Sequence, residues 1–335
     1  MEAETAISMK QMSWNLFLAD GKTFSSPNHD DFFNIGRVIE NCETTFWLDI
    51  ENLSPEAGDF LEKSFSCHPL AIEDCHNFKV RPKVEKYPGH LFIVFRGVNY
   101  NAGEIETHMI NLYFFLGHNY IITVHNKPLR AIRDTWKIVE LNRDALKNNP
   151  GRVLYETLDH IVDNYFPLLE KMDARLTELE TQIFYDFNQC TVEDIFGIKK
   201  EIMVLKRCVG PQMDLINSLM TMKWGFIREE NMLYYRDVRD HVERIADHLD
   251  MYRDLTVSLL DFYMTQVSNR MNDVMKTLSI VATIMLPLSL LTGVFGMNFQ
   301  KMPGLEEREG FWYLLVSMIV ISAILVTYFK RKKWM

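Results

Sequence analysis

Gly296-Met297-Asn298 stands near the end of Thr277 to Gln300, a run of 24 residues without a charged side chain. A Gly-x-Asn turn exposes main-chain carbonyls and one side-chain amide, all neutral oxygen donors. Magnesium gives up its octahedral water shell reluctantly, so a pore selects it best by hydrogen-bonding that shell rather than stripping it. Neutral oxygens around an axis suit that task, whereas a ring of carboxylates would trap the ion. A second set of groups lies upstream. Asp240, Glu243, Asp247, Asp250, Asp254 and Asp261 recur at helical steps, about 200° around the helix from the apolar stripe Val238, Val242, Ile245, Leu249, Tyr252, Leu259 and Tyr263. Such an acidic stripe is either a solvated face or an attractor of cations. His241 and His248, seven apart beside Asp237 and Asp247, can be drawn as a zinc site but read more simply as solvated histidines. Gly21-Lys22-Thr23 is not a phosphate loop, because Leu16 stands where its first glycine belongs. No EF-hand, HExxH or GxSxG pattern occurs either, so no catalytic set forms and an enzyme is not expected.

The elements that must position these groups begin with the uncharged run itself. At about 1.5 Å per residue it reaches roughly 36 Å as a helix, enough to cross a hydrocarbon core of about 30 Å. A second uncharged run, Gly310 to Phe329, has 20 residues and includes LLVSMIVISAILV. Two such runs at the end of a charged chain read as membrane spans rather than buried core helices. Arg270 and Lys276 precede the first, and Lys330-Arg331-Lys332-Lys333 follows the second, while the loop KMPGLEERE between them is net negative. The positive-inside rule then places both termini in the cytoplasm and the loop outside. Met1–Ser13 is polar, with no apolar core, so no signal peptide is expected.

The 335 residues hold 45 acidic and 36 basic side chains, a net charge of −9. Residues from Thr277 onward carry +3, which leaves −12 on the remainder. An acidic body argues against nucleic acid as a partner. Cys42, Cys67, Cys75, Cys190 and Cys208 are odd in number and lack metal-ligand spacing, which favours free thiols in a reducing compartment.

Residues 1–150 read as an α/β cytoplasmic domain, with strand-like runs at Trp14–Leu18, Thr45–Ile50, Leu91–Val98, Met109–Leu116 and Tyr120–His125. Helical stretches are expected at Pro55–Phe65 and Pro128–Leu146. Residues 151–276 contain only Pro167 and Pro211 and read as a long helical region, broken near Gly210-Pro211 and Trp224-Gly225. Its last helix forms a stalk that passes without interruption into the first span, 277–300. An external loop, 301–309, the second span, 310–329, and a basic tail, 330–335, complete the chain.

Several segments together carry a family likeness: FGMNF (Phe295–Phe299) with KMP just after it, YYRDVRDH (Tyr234–His241), SLLDFY (Ser258–Tyr263) and SNRMNDVMKTLSIVATIMLPL (Ser268–Leu288). HPLAIED (His68–Asp74) and RPKVEKY (Arg81–Tyr87) extend it toward the N-terminus. In these motifs the sequence resembles the CorA family of divalent-cation channels. The resemblance implies a funnel-shaped homopentamer in the inner membrane, with the first span lining the pore. Gly296, Met297 and Asn298 would then form the selectivity filter. Asn272, Met275, Leu278, Ala282, Leu286 and Ser289 would face the pore, with Met275 and Leu278 as an apolar constriction that stops a hydrated ion by dewetting. Asp74 and Asp237 match family carboxylates that hold regulatory magnesium between subunits, and Glu73 and Asp261 are lesser metal candidates.

The activity so implied is passive Mg²⁺ influx, with Co²⁺ and Ni²⁺ also admitted, driven by membrane potential and closed by intracellular Mg²⁺. Bound cations would offset repulsion between acidic protomers and so favour the closed assembly. The implied partners are further copies of the chain, divalent cations and the bilayer, with Mg²⁺ both cargo and regulator and no organic cofactor. The competing readings are a zinc transporter of the same fold, as in the ZntB branch and proton-coupled there, and a membrane-anchored scaffold that moves no ion. Against the family pattern, Phe295 replaces a tyrosine, Gly304 a glutamate, Leu286 a methionine and Ser289 a threonine.

Overall fold

A computed structural model describes residues 12–19, 22–26, 45–77, 79–99, 108–142, 149–185, 187, 191–222, 224–297, 309–332 and 334. Residues 1–181 with 191–257 form one compact unit, and 182–190 with 258–335 form a second.

In the first unit, strands β1 (Ser13–Leu18), β2 (Thr23–Ser26), β3 (Phe46–Glu51), β4 (Lys83–Tyr87), β5 (His90–Asn99), β6 (His108–Leu116) and β7 (Tyr120–His125) make one seven-stranded sheet. Its order is β2-β1-β3-β7-β6-β5-β4. Only β3 and β7 pair in parallel, Phe46 opposite Tyr120 and Glu51 opposite His125. β7 is buried throughout and β5 almost throughout, as strands covered on both faces must be. The five strand-like runs expected from the sequence are all present; β2 and β4 are additional. β4 reads KVEKY, three charges in five residues, which gives no apolar signal and suits an exposed sheet edge.

Helices α1 (Pro55–Phe65) and α2 (Pro69–His76) cover one face, where Ala57, Leu61, Ala71 and Cys75 join Leu48, Ile50, Phe92 and Phe115 in a single core. The HPLAIED segment is a helix start. Leu70 N donates to His68 Nδ1 at 3.2 Å, and Pro69 takes the first helical position, where no backbone N–H is needed. Because side chains alternate along a strand, Trp47 points to the opposite face and meets Trp136 of α3 (Arg130–Leu141), ring centroids 5.0 Å apart. Helix α4 (Pro150–Asp163) packs on the same face. A Cβ added to Gly97 would stand 3.1 Å from Leu129 Cδ2 and 3.6 Å from Ile161 Cγ2, so glycine permits this approach. The described part of the Pro128–Leu146 expectation is α3; residues 143–148 lie outside the described set.

Helices α5 (Phe166–Tyr185), α6 (Val192–Thr221), α7 (Met232–Phe295) and α8 (Gly310–Arg331) follow, with a 3₁₀ turn at Glu229–Asn231 before α7. α6 starts at a capping box between Thr191 and Asp194. The break expected at Gly210-Pro211 is absent: α6 runs straight through it. Proline removes one backbone hydrogen bond, but Cys208, Val209, Gln212, Leu215 and Ile216 are buried around it, and Gln212 Nε2 donates to Arg96 O at 2.6 Å. The second expected break is real. The chain leaves α6 after Thr221 and turns through Gly225 at φ +82, which favours glycine. In α7, Val238, Val242, Ile245, Leu249, Tyr252 and Leu259 of the apolar stripe are buried.

In the second unit, Phe184 meets Phe262 at 4.3 Å, Phe187 meets Tyr263 at 4.8 Å, and Arg270 lies over Phe187 at 4.5 Å. The remainder of α7 and all of α8 are long and apolar enough to cross a membrane, and α8 buries only Phe329. Aromatic residues mark both ends of α8: Phe311, Trp312 and Tyr313 at one, Tyr328 and Trp334 at the other, the usual signature of interfacial belts.

Candidate functional site

Two helices of the first unit bring four ionisable side chains together. Asp159 and Asp163 sit one turn apart on α4, and Asp237 and His241 one turn apart on α7, so each pair shares a helix face. His241 Nδ1 is 3.9 Å from Asp159 Oδ1 and 3.9 Å from Asp163 Oδ1, and its Nε2 is 4.0 Å from Asp237 Oδ1. Asp159 Oδ1 and His241 Nδ1 are both shut off from solvent with no hydrogen-bond partner. Burial, reinforced by the charge of Asp163, lifts the Asp159 carboxyl to about 6. Among the described residues, Asp159, Asp163 and His241 are the one trio of His, Cys, Asp or Glu whose ligand atoms lie within 4.8 Å of one another. Spacings near 4 Å suit donors around a single cation with bonds of about 2.0–2.4 Å. Two orphaned buried donors therefore acquire a purpose if a divalent ion sits between them. The carboxylates suit magnesium, and the imidazole widens the choice to cobalt, nickel and zinc.

Sequence reasoning singled out Asp237 but not Asp159 or Asp163, and it read His241 as a solvated histidine. In the structure the His241 side chain keeps only 23% of its exposure and lies edge-on to Phe166. The i, i+4 aspartates of LDHIVD were the available signal. His248 does not join them; it packs on Tyr252.

Asp74, in the last turn of α2, forms an ion pair with Lys83, Nζ to Oδ2 2.8 Å. Neighbouring Glu73 is exposed. Asp261 is exposed and belongs to the second unit. The acidic stripe is in part neutralised by its neighbours. Arg239 pairs with Asp240 at 2.9 Å, Arg253 with Asp254 at 2.8 Å and with Asp250 at 3.1 Å, and Lys206 also pairs with Asp250.

On the second half of α7, Asn272, Met275, Leu278, Ala282, Leu286 and Ser289 are all exposed and fall within an arc of about 120°. Ile280, on the opposite side, is buried. The hydroxyls of Thr277, Ser279 and Thr292 donate to carbonyls one turn back, Asp273 O, Met275 O and Leu288 O, which satisfies these three within the helix itself. The helix continues through Pro287 and ends at Phe295. Gly296 N then donates to Thr292 O at 2.9 Å, and a Cβ on Gly296 would lie only 2.9 Å from that same oxygen. A side chain cannot be added here unless the turn shifts. Met297 is half exposed, and Asn298 lies outside the described residues.

Comparison with known proteins bears on this arrangement. The family model described as "CorA-like Mg2+ transporter protein" matches residues 43–331. The chain belongs to the CorA family. It is 35% identical over 305 residues, 89% of this chain and 85% of the relative, to the cobalt/magnesium transport protein CorA of Thermotoga maritima. The zinc transport protein ZntB of Yersinia enterocolitica is 21% identical over 298 residues, 89% of this chain and 90% of that one. Among solved structures, the CorA magnesium transporter of Methanocaldococcus jannaschii shares the fold, with a TM-score of 0.77 at 23% identity over 87% of this chain and 92% of that one. Membership of the CorA family makes the chain a divalent-cation transporter of the membrane. The α/β sheet domain, long helix and C-terminal apolar helix are the parts of that fold.

Proposed function

We propose that this chain is a passive Mg²⁺ channel of the inner membrane that also admits Co²⁺ and Ni²⁺, assembled as a homopentamer with both termini in the cytoplasm. Two spans per chain cannot enclose a pore, so copies must associate around the first span. The observation that carries the reading is the exposed arc Asn272 to Ser289 on an uninterrupted α7 that ends at Phe295, next to Gly296. In an assembly, Met275 and Leu278 supply an apolar ring that gates by dewetting, and Gly296, Met297 and Asn298 present neutral oxygens to a hydrated ion. No carboxylate lies on the arc, which agrees with passage rather than capture. The membrane potential drives entry, at about 2.3 kcal/mol per charge per 100 mV.

Regulation rests on cytoplasmic carboxylates. Asp159, Asp163 and His241 would hold a divalent ion, and Asp74 and Asp237, with Glu73 beside Asp74, would hold another between subunits. Occupied sites favour the closed assembly, so rising internal Mg²⁺ shuts the pore. Asp261 is a further ligand candidate near the pore. The zinc reading draws support from His241, since imidazole suits zinc better than magnesium, and from the ZntB relative.

Influx into proteoliposomes with an inside-negative potential tests the proposal. Mg²⁺ entry that follows the potential, and that Asn298→Ala abolishes while the oligomer stays assembled, is the expected result. Normal flux in Asn298→Ala removes the filter assignment. Zinc entry that follows a proton gradient, with little Mg²⁺ entry, moves the chain to the zinc branch.

A further inference from the structure

Lys83 opens β4 and points its ammonium at two carboxylates at once. Its Nζ lies 2.8 Å from Asp74 Oδ2 on α2 and 2.8 Å from Glu85 Oε1 on its own strand. Glu85 is itself held in place, because Tyr87 OH donates to Oε2 at 2.9 Å. The three charged side chains keep 33%, 25% and 39% of their exposure, so ions from solution can reach them. An ammonium and a divalent cation seek the same oxygens, and a cation bound at Asp74 meets the like charge of Lys83 unless that side chain swings away.

We infer that Lys83 is a tethered competitor for the Asp74 regulatory site, occupying the carboxylate until a divalent cation displaces it. The inference rests on the reading of Asp74 as a regulatory ligand. It assigns two consequences to one side chain. Lys83 raises the Mg²⁺ concentration at which the closed assembly forms. It also bars monovalent cations, which carry no more charge than the ammonium and lack its covalent tether. Asp74 and Glu85 become a pair of unbalanced carboxylates when Lys83 is removed, a stronger cation site than either alone.

The test is protection of the full-length oligomer from proteolysis, titrated with Mg²⁺ at constant ionic strength. Lys83→Met lowers the half-protection concentration by about three- to tenfold, a range kept modest because the site is partly exposed. Lys83→Gln, which keeps a hydrogen-bond donor without the charge, shifts it the same way and guards against a packing defect. Lys83→Arg leaves it within about twofold, since the charge is kept. Asp74→Asn raises the concentration, and adding Asp74→Asn to Lys83→Met cancels the gain. An unchanged or raised midpoint in both Lys83→Met and Lys83→Gln, with Asp74→Asn still raising it, overturns the role of Lys83 and leaves Asp74 in place. A midpoint that Asp74→Asn does not move overturns both.

Discussion

Asp159→Asn should make the metal-free protein more stable while removing its response to metal. The Asp159 carboxyl titrates at about 6 rather than 3.8, so the folded state binds its proton more tightly than the unfolded chain does. The penalty is absent below pH 3.8, grows as pH rises through the window from 3.8 to about 6, and is complete above it. Raised that far, the carboxyl costs the folded state about 3 kcal/mol at pH 8, an upper figure given that the side chain keeps 21% of its exposure. Asparagine keeps the shape and loses the charge, so it recovers about 1–3 kcal/mol. Melting followed by intrinsic fluorescence in EDTA at pH 8 should therefore show the variant unfolding several degrees above the parent, with the gap closing near pH 4. Added Mg²⁺ or Co²⁺ should raise the melting temperature of the parent and leave the variant nearly unmoved, because only the parent retains the full ligand set. A variant that melts at or below the parent in EDTA, or that keeps the metal-induced shift, refutes the assignment of Asp159 to a cation site.

Two further predictions concern other parts of the chain. His90 is fully buried with neither ring nitrogen paired, and burial, aided by the charge of His68, lowers it from 6.5 to about 4. Its folded value lies below its unfolded one, so the stability it permits is present above pH 6.5 and lost as pH falls toward 4, about 3 kcal/mol in all. His90→Leu should flatten the acid limb of a denaturation profile between those values, and an unchanged limb would exclude His90 as its source. Gly296→Ala forces a Cβ to within 2.9 Å of Thr292 O, displacing the turn at a local cost of about 1–3 kcal/mol. Mg²⁺ influx should fall while the purified oligomer elutes unchanged, whereas full influx would show that the turn tolerates a side chain.

Much of this was legible in the chain itself, for identifiable reasons. Strands β5 and β7 announce themselves as unbroken apolar runs because both of their faces are covered. The buried stripe of α7 follows from helical spacing alone. β4 was hidden because an edge strand needs no apolar run, and α6 crosses Pro211 because tertiary packing outweighs one lost hydrogen bond. The site was legible in halves. Asp237 and the Asn272–Ser289 positions lie within or beside the segments that carry the family resemblance, YYRDVRDH and SNRMNDVMKTLSIVATIMLPL, and were singled out by it. Asp159 and Asp163 reach His241 only through the packing of α4 on α7, 82 residues apart in sequence between Asp159 and His241, and no local pattern encodes that meeting.

Net charge is a poor guide to where a cation acts on this chain. The −12 outside the membrane-spanning end invites an account in which magnesium relieves a diffuse repulsion between protomers. Exposed charges further apart than about 8–10 Å are largely screened at physiological ionic strength, and Asp240, Asp250 and Asp254 already have cationic neighbours. What salt screens least is a group withdrawn from water. Asp159 Oδ1 and His241 Nδ1 are withdrawn, 3.9 Å apart and without a hydrogen-bond partner, with Asp163 and Asp237 beside them. A divalent ion bound there gains from a few strong contacts rather than many weak ones. Monovalent salt should therefore substitute poorly for Mg²⁺ in holding the closed assembly: protection from proteolysis that several hundred millimolar NaCl reproduces in full without Mg²⁺ would return the argument to diffuse repulsion.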